Sequence, residues 1–161
     1  METSSGALTL SKALAEVKSV FLDSAIIIYY IEQHPIYAPP LGWLFEQIGD
    51  GHIKAICSPV TLAECLVVPL RRNDLDAYRD FVDVILHAKN TLFIPIGAGI
   101  SQRAAEFRAR YNLALTDAFQ IATAVTSGCD AFLTNDKGLK RVREVSVLVL
   151  DDLCESEANE R

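Results

Sequence analysis

Long apolar runs are missing from this sequence. The most hydrophobic stretch, VFLDSAIIIYYI (20–31), is cut after three residues by Asp23 and is too short to cross a bilayer. The first twenty residues, METSSGALTLSKALAEVKSV, have no basic segment ahead of their apolar positions, so neither a membrane span nor an export signal is expected. Cysteine pairs are missing too. Cys57, Cys65, Cys129 and Cys154 contain no C-x-x-C and no metal-finger spacing, which implies reduced thiols and a cytoplasmic location instead of a disulfide framework. A basic excess is absent: the formal net charge is −6 and the pI about 5.0. That excludes nucleic-acid binding by bulk charge, so any site for a polyanion must be local and metal-assisted. Histidine is scarce. His34, His52 and His87 fall at a helix-end turn, a strand start and a helix end, which leaves none placed as a general base.

What is present suits one domain with a sizeable core: 161 residues, half of them hydrophobic, with mean hydropathy +0.21. Apolar, β-rich runs alternate with segments of helical period, the pattern of an α/β protein. Strands are predicted at 19–23, 52–58, 91–96, 131–135 and 145–151, and their nearly continuous apolar character suits a parallel sheet covered by helices on both faces. Helices are predicted at 25–33, 42–48, 59–70, 75–88, 100–111 and 117–127, with Ser58-Pro59 and Thr116-Asp117 as capped starts. By periodicity alone IIIYYI (26–31) fits helix or strand. Residues 1–18 are expected as a partly disordered lead, 19–154 as the single domain and 155–161 as a frayed tail.

Four carboxylates interrupt stretches that would otherwise read as core: Asp23 in VFLDSAIII, Glu64 in PVTLAECLVV, Asp117 in LALTDAFQIATA and Asp136 in AFLTNDKGL. An ionised carboxylate among packed aliphatics costs several kcal/mol unless it is paired or ligates a cation. Each alone has an ordinary role available. Asp23 suits a helix N-cap, Glu64 a partner for Arg71 or Arg72, Asp117 a first helical turn, and Asp136 the turn N-D-K-G. Taken together they suggest shared ligation of Mg²⁺ or Mn²⁺, which prefer oxygen donors. In an open α/β sheet Asp23 closes the first strand, Asp136 follows the fourth, and Asp117 and Glu64 belong to neighbouring helices. All four can therefore meet in the crevice beyond the carboxyl ends of the strands.

In this order and spacing the residues resemble the PIN domain, and within it the VapC-like ribonucleases of toxin–antitoxin systems. The likeness runs from about Val20 to Val149. It consists of the Asp ending the first strand, the Glu in the helix after the second, the T-D-A-x-x-x-A-x-A string from Thr116 to Ala124, and L-T-N-D from Leu133 to Asp136. The resemblance implies a PIN-like fold with strand order 3-2-1-4-5 and a Mg²⁺- or Mn²⁺-dependent endoribonuclease. Asp23, Glu64 and Asp117 would be the core metal-binding acids and Asp136 a more variable fourth, with Asn135 its alternative if the register slips by one. Thr134 matches a hydroxyl position that would orient a water or ligand. The chain carries a lead of about twenty residues that many VapC-like toxins lack, and no aromatic follows the fourth acid.

For substrate contact the candidates are the basic run Lys137, Lys140, Arg141 and Arg143 beside the fourth acid, and Arg103, Arg108 and Arg110 on one helix, each weighed against a solvated charged face. Tyr29, Tyr30 and Trp43 could stack bases, with core packing the favoured role. IIIYYI and LGWLFEQI suit burial against a second copy, in a homodimer or higher oligomer, or against an antitoxin. Three other classes are weighed. A phosphoacceptor receiver would want adjacent acids near the first strand, and a phosphatase with an Asp nucleophile would want D-x-D, which Asp23-Ser24-Ala25 fails. A PIN-like scaffold that binds RNA or protein without turnover remains the main alternative, with an RNA-processing nuclease outside any toxin–antitoxin pair beside it.

Overall fold

The computed structural model describes residues 5–155. Its five strands are β1 (Ser19–Leu22), β2 (Lys54–Cys57), β3 (Thr91–Phe93), β4 (Ala131–Thr134) and β5 (Ser146–Val149). They form one sheet in the order β3-β2-β1-β4-β5, with every pairing parallel, as the sequence predicts. The helices among the described residues are α1 (Ser5–Ala13), α2 (Ser24–Ile31), α3 (Ala38–Gly49), α4 (Pro59–Arg71), α5 (Leu75–Val82), α6 (Ala98–Tyr111), α7 (Leu115–Thr126) and α8 (Leu150–Glu155).

Alternation along the central strands divides the core in two. Phe21 lies beside Ile56 and Phe132 in register, and all three face a cluster built with Phe107 of α6 and Ala118, Ile121 and Ala122 of α7. The Phe21 and Phe132 rings stack at 5.1 Å. Val20, Leu22, Ala55, Cys57, Ala131 and Leu133 point the other way, against Ile26, Ile27, Leu41, Leu44 and Phe81. Because both faces are covered, β1 and β4 have no alternating polar residues, and full burial of each large apolar side chain contributes roughly 1.5–3 kcal/mol.

Local differences from the sequence reading have local causes. The lead, expected as partly disordered, holds α1, whose Ala7 and Leu10, with Leu14 just beyond, are buried in a helical rhythm. Residues 1–4 and 156–161 of the expected tails lie outside the described residues. IIIYYI is helix, because Asp23 caps it by accepting from the Ser24 N–H. α3 begins at Ala38, earlier than expected, since Pro39 and Pro40 fit a first turn that needs no N–H from them. The long helix expected at 75–88 stops at Val82 and continues as a π-helical turn, Asp83–His87. β5 ends at Val149, and the predicted strand gives way to α8.

Candidate metal centre

Asp23 continues β1 by one residue, its N–H bonded to the Leu133 carbonyl at 3.0 Å, and becomes the N-cap of α2. Asp23 is only 8% exposed, so each carboxylate oxygen needs donors. Oδ1 accepts from the Ser24 N–H at 2.8 Å, the Ser24 hydroxyl at 3.3 Å and the Gln120 amide at 3.0 Å. Oδ2 accepts from the fully buried Thr134 hydroxyl at 2.6 Å. Glu64 lies on α4, which is started by Ser58, Pro59 and a capping box between Ser58 and Thr61. One turn separates Glu64 from Thr61, so both face α2 and α7. Glu64 Oε1 accepts from Ser24 Oγ at 3.0 Å and Gln120 Nε2 at 3.1 Å. Ser24 has one hydroxyl proton, which Asp23 and Glu64 therefore share.

Asp117 stands in the first turn of α7, half-buried. The helix opens at Leu115 with Ala114 as N-cap, so the predicted Thr116 cap is corrected: Asp117 is a first-turn residue and does not begin the helix. Burial, then the charges of Asp23, Asp136 and Glu64, push its carboxyl up to about 6, and Arg141 opposes them. Burial also raises Glu64, with the Ser24 bond opposing and Asp23 adding to it. Asp136 caps the 3₁₀ turn Lys137–Arg141, its Oδ1 accepting from the Gly138 N–H at 2.8 Å. The Asp136 N–H donates to Thr134 Oγ1 at 3.0 Å. Thr134 thus joins the first acid to the fourth.

No three His, Cys, Asp or Glu side chains among the described residues enclose an ion as they stand. Asp23 and Glu64 are instead bridged by neutral donors. The donor chemistry nevertheless suits a hard divalent cation: the carboxylates come from the ends of β1 and β4 and from α4 and α7, and at Asp117 the negative potential of the other three outweighs Arg141. Neutralising Asp117 should therefore stabilise the protein in EDTA. For Asp117→Asn the expected gain at pH 8 is about 1 kcal/mol after allowance for solvent screening, near 3 °C in melting temperature. The carboxyl holds its proton more tightly folded than unfolded, so the parent loses stability as pH rises from the ordinary carboxylate range through about 6. The gain should shrink at pH 4, where the parent's carboxyl is protonated when folded. Thermal melts at the two pH values check this, and equal melting temperatures at pH 8 would contradict the repulsion.

The remaining sequence candidates separate. Asn135 turns away from the acids, donating to the Tyr29 and Tyr37 hydroxyls at 3.3 and 3.4 Å and accepting from the Asp151 N–H at 2.9 Å. Arg141 is committed to the carbonyls of Tyr111, Asn112 and Gly138, so it braces the α6–α7 turn against the 3₁₀ turn. Lys140 and Lys137 pair with Asp152 of α8. On α6, Arg108 bonds the Leu113 carbonyl, Arg110 bonds Glu144, and Arg103 lies over Phe107. Tyr29, Tyr30 and Trp43 pack against the core. The His87 ring pairs with Asp83, and His34 accepts from the N–H groups of its own turn. All four cysteines are free thiols, and burial pushes Cys57 and Cys129 up to about 12, which makes them poor nucleophiles.

Ser24, Thr61 and Gln120 belong to the site and were missed. Gln120 had a signal: like the acids, it interrupts an apolar stretch, in DAFQIATA, one turn after Asp117. Ser24 and Thr61 are ordinary helix-start residues whose second role appears only once the elements converge.

The family model described as the PIN domain matches residues 20–145. No curated protein matches the chain. Among solved structures, VapBC2 from Rickettsia felis bound to a promoter DNA fragment aligns at 17% identity and TM-score 0.66, covering 81% of this chain and 98% of that one. A toxin–antitoxin complex from Klebsiella pneumoniae aligns at 18% identity and TM-score 0.61, over 81% and 97%. VapC20 from Mycobacterium tuberculosis, described as a toxin that cleaves the sarcin–ricin loop, aligns at 14% and 0.58, over 70% and 86%. At such identities the structural likeness speaks for the fold alone, and the family model carries the assignment. With that model spanning most of the chain, and with the sheet order in agreement, the chain belongs to the PIN domain family.

Proposed function

We propose that this PIN domain is a divalent-metal-dependent endoribonuclease and the toxin of a toxin–antitoxin pair. The observation that carries the reading is the linkage of acids from separate elements by shared neutral donors: Ser24 and Gln120 bridge Asp23 and Glu64, and Thr134 joins Asp23 to Asp136. The likeness to toxin–antitoxin structures favours the toxin role and an antitoxin partner. Asp23, Glu64, Asp117 and Asp136 would hold Mg²⁺ or Mn²⁺. Bound there, the ion supplies Lewis acidity toward a phosphodiester and activation of water. Thr134 and Ser24 orient the Asp23 carboxylate, and Arg141 fixes the turn that presents Asp136. Lys137 and Lys140, beside Asp136, would contact phosphate by exchanging Asp152 for the RNA backbone. Arg141 serves the same contact only indirectly, through the turn it braces. A homodimer or higher oligomer, and action in the cytoplasm, belong to the same reading.

The test is single-turnover cleavage of a labelled structured RNA during Mn²⁺ titration of EDTA-treated protein. Cleavage that rises with Mn²⁺ and disappears on chelation supports the nuclease. RNA binding without cleavage at any Mn²⁺ concentration would instead identify a scaffold.

A further inference from the structure

We infer that Gln120 is a positioning residue of the metal centre, holding the Asp23 and Glu64 carboxylates in a fixed relation through one amide nitrogen whose orientation is set by Thr61. The inference rests on the proposed metal-dependent function and extends it to a residue outside the acid set. Gln120 lies one helical turn beyond Asp117 on α7 and is 1% exposed. Its NH₂ group has two hydrogens and two acceptors to match: Asp23 Oδ1 at 3.0 Å and Glu64 Oε1 at 3.1 Å. An acid at a strand end and an acid on α4 are thereby tied from the buried side, leaving the exposed side of Glu64 open to solvent.

An amide can present either its nitrogen or its oxygen, and only the nitrogen can bridge two carboxylates. Thr61 settles the choice. Its buried hydroxyl donates to Gln120 Oε1 at 3.2 Å and accepts from the Ser58 N–H at 3.3 Å. The Ser58 N–H consumes one acceptor site of that hydroxyl and leaves its proton for Gln120. The capping box that begins α4 therefore also sets the amide in the site. Neutral donors behind ligating carboxylates orient them, and their loss typically costs ten- to a hundredfold in metal affinity.

The experiment is Mn²⁺ binding by isothermal titration calorimetry on the full chain, with the Gln120 side-chain amide followed by ¹⁵N NMR in EDTA. Gln120→Leu, close in volume but without donors, should weaken Mn²⁺ about tenfold or more. Thr61→Val keeps the shape, removes the hydroxyl, and should weaken Mn²⁺ in the same direction while shifting the Gln120 NH₂ signals and speeding their exchange with water in metal-free protein. Thr61→Ser retains the hydroxyl and should restore both. If Gln120→Leu fails to fold, the Thr61→Val and Thr61→Ser pair still decides. Mn²⁺ affinity within twofold of the parent in Gln120→Leu, or in Thr61→Val when only that variant folds, overturns the positioning role alone. A parent that binds no Mn²⁺ at all overturns the metal-dependent reading and this inference with it.

Discussion

Asp23→Asn is expected to lower Mn²⁺-dependent RNA cleavage by roughly 10³-fold or more, the scale seen when one member of a group acting as a unit is removed. Asparagine is the informative replacement because Asp23 has two jobs. Its Oδ1 caps α2 and receives Gln120, and an asparagine oxygen in the same place still accepts both. What changes is charge, and with it the ability to hold a divalent cation. The Asn NH₂ would meet Thr134 Oγ1, which already accepts from the Asp136 N–H, so the hydroxyl proton must turn elsewhere. That rearrangement costs about one hydrogen bond, on the order of 1 kcal/mol. Alanine would confuse the test. It would strip the cap and leave the Ser24 N–H, the Gln120 amide and the Thr134 hydroxyl without their acceptor, and a loss of about 3 kcal/mol could account for inactivity by itself. Single-turnover cleavage with a parallel thermal melt decides the matter. A folded Asp23→Asn protein that cleaves at the parental rate would remove Asp23 from the metal centre.

The fold was legible where burial is complete. The central strands, buried on both faces, announce themselves as short apolar runs; the edge strands β3 and β5 are only partly buried but share that apolar composition, and the order 3-2-1-4-5 followed from the family resemblance. Asp23 was legible for the complementary reason, a buried carboxylate at the end of such a run being costly and therefore visible; Asp117 is half-buried and Glu64 and Asp136 are exposed, so these three stood out through their place in the family pattern. Less visible was whatever depends on contacts between distant elements. Arg141 looks like part of a solvated basic run, yet its guanidinium is spent on three carbonyls of two turns. Asn135 looks interchangeable with Asp136, but side chains alternate across the backbone, and it joins Tyr29, Tyr37 and Asp151 instead. The α1 helix was missed although Ala7, Leu10 and Leu14 keep helical spacing, because its partners α3 and α8 lie far off in sequence. Gln120 is the instructive omission. It obeys the rule that exposed Asp23, and a search for any polar group within an apolar run, not only for charged ones, would have found it.

Thr134→Val is expected to destabilise the protein by about 2–3 kcal/mol, with a fall of roughly 5–10 °C in melting temperature, and to reduce cleavage by about ten- to a hundredfold. Valine matches threonine in shape, so the fully buried pocket at the end of β4 stays filled and the loss is electrostatic in origin. Two bonds disappear together. Asp23 Oδ2 loses its donor at 2.6 Å, and the Asp136 N–H loses its acceptor at 3.0 Å. Asp136 still caps the 3₁₀ turn through Gly138, so it is loosened but not released. Asp23 keeps three donors on Oδ1 and can rotate about them, which moves the oxygen that faces away from Gln120. The site then retains every acid but loses the hydroxyl that sets the first against the fourth, so metal affinity and cleavage should fall together. Thr134→Ser keeps the hydroxyl and gives up one methyl, about 1 kcal/mol of packing, and should cleave at close to the parental rate. Urea melts and single-turnover rates on the two variants separate the roles. Parental stability and rate in Thr134→Val would reduce the hydroxyl to a bystander, and equal loss of cleavage in both variants would assign the effect to packing.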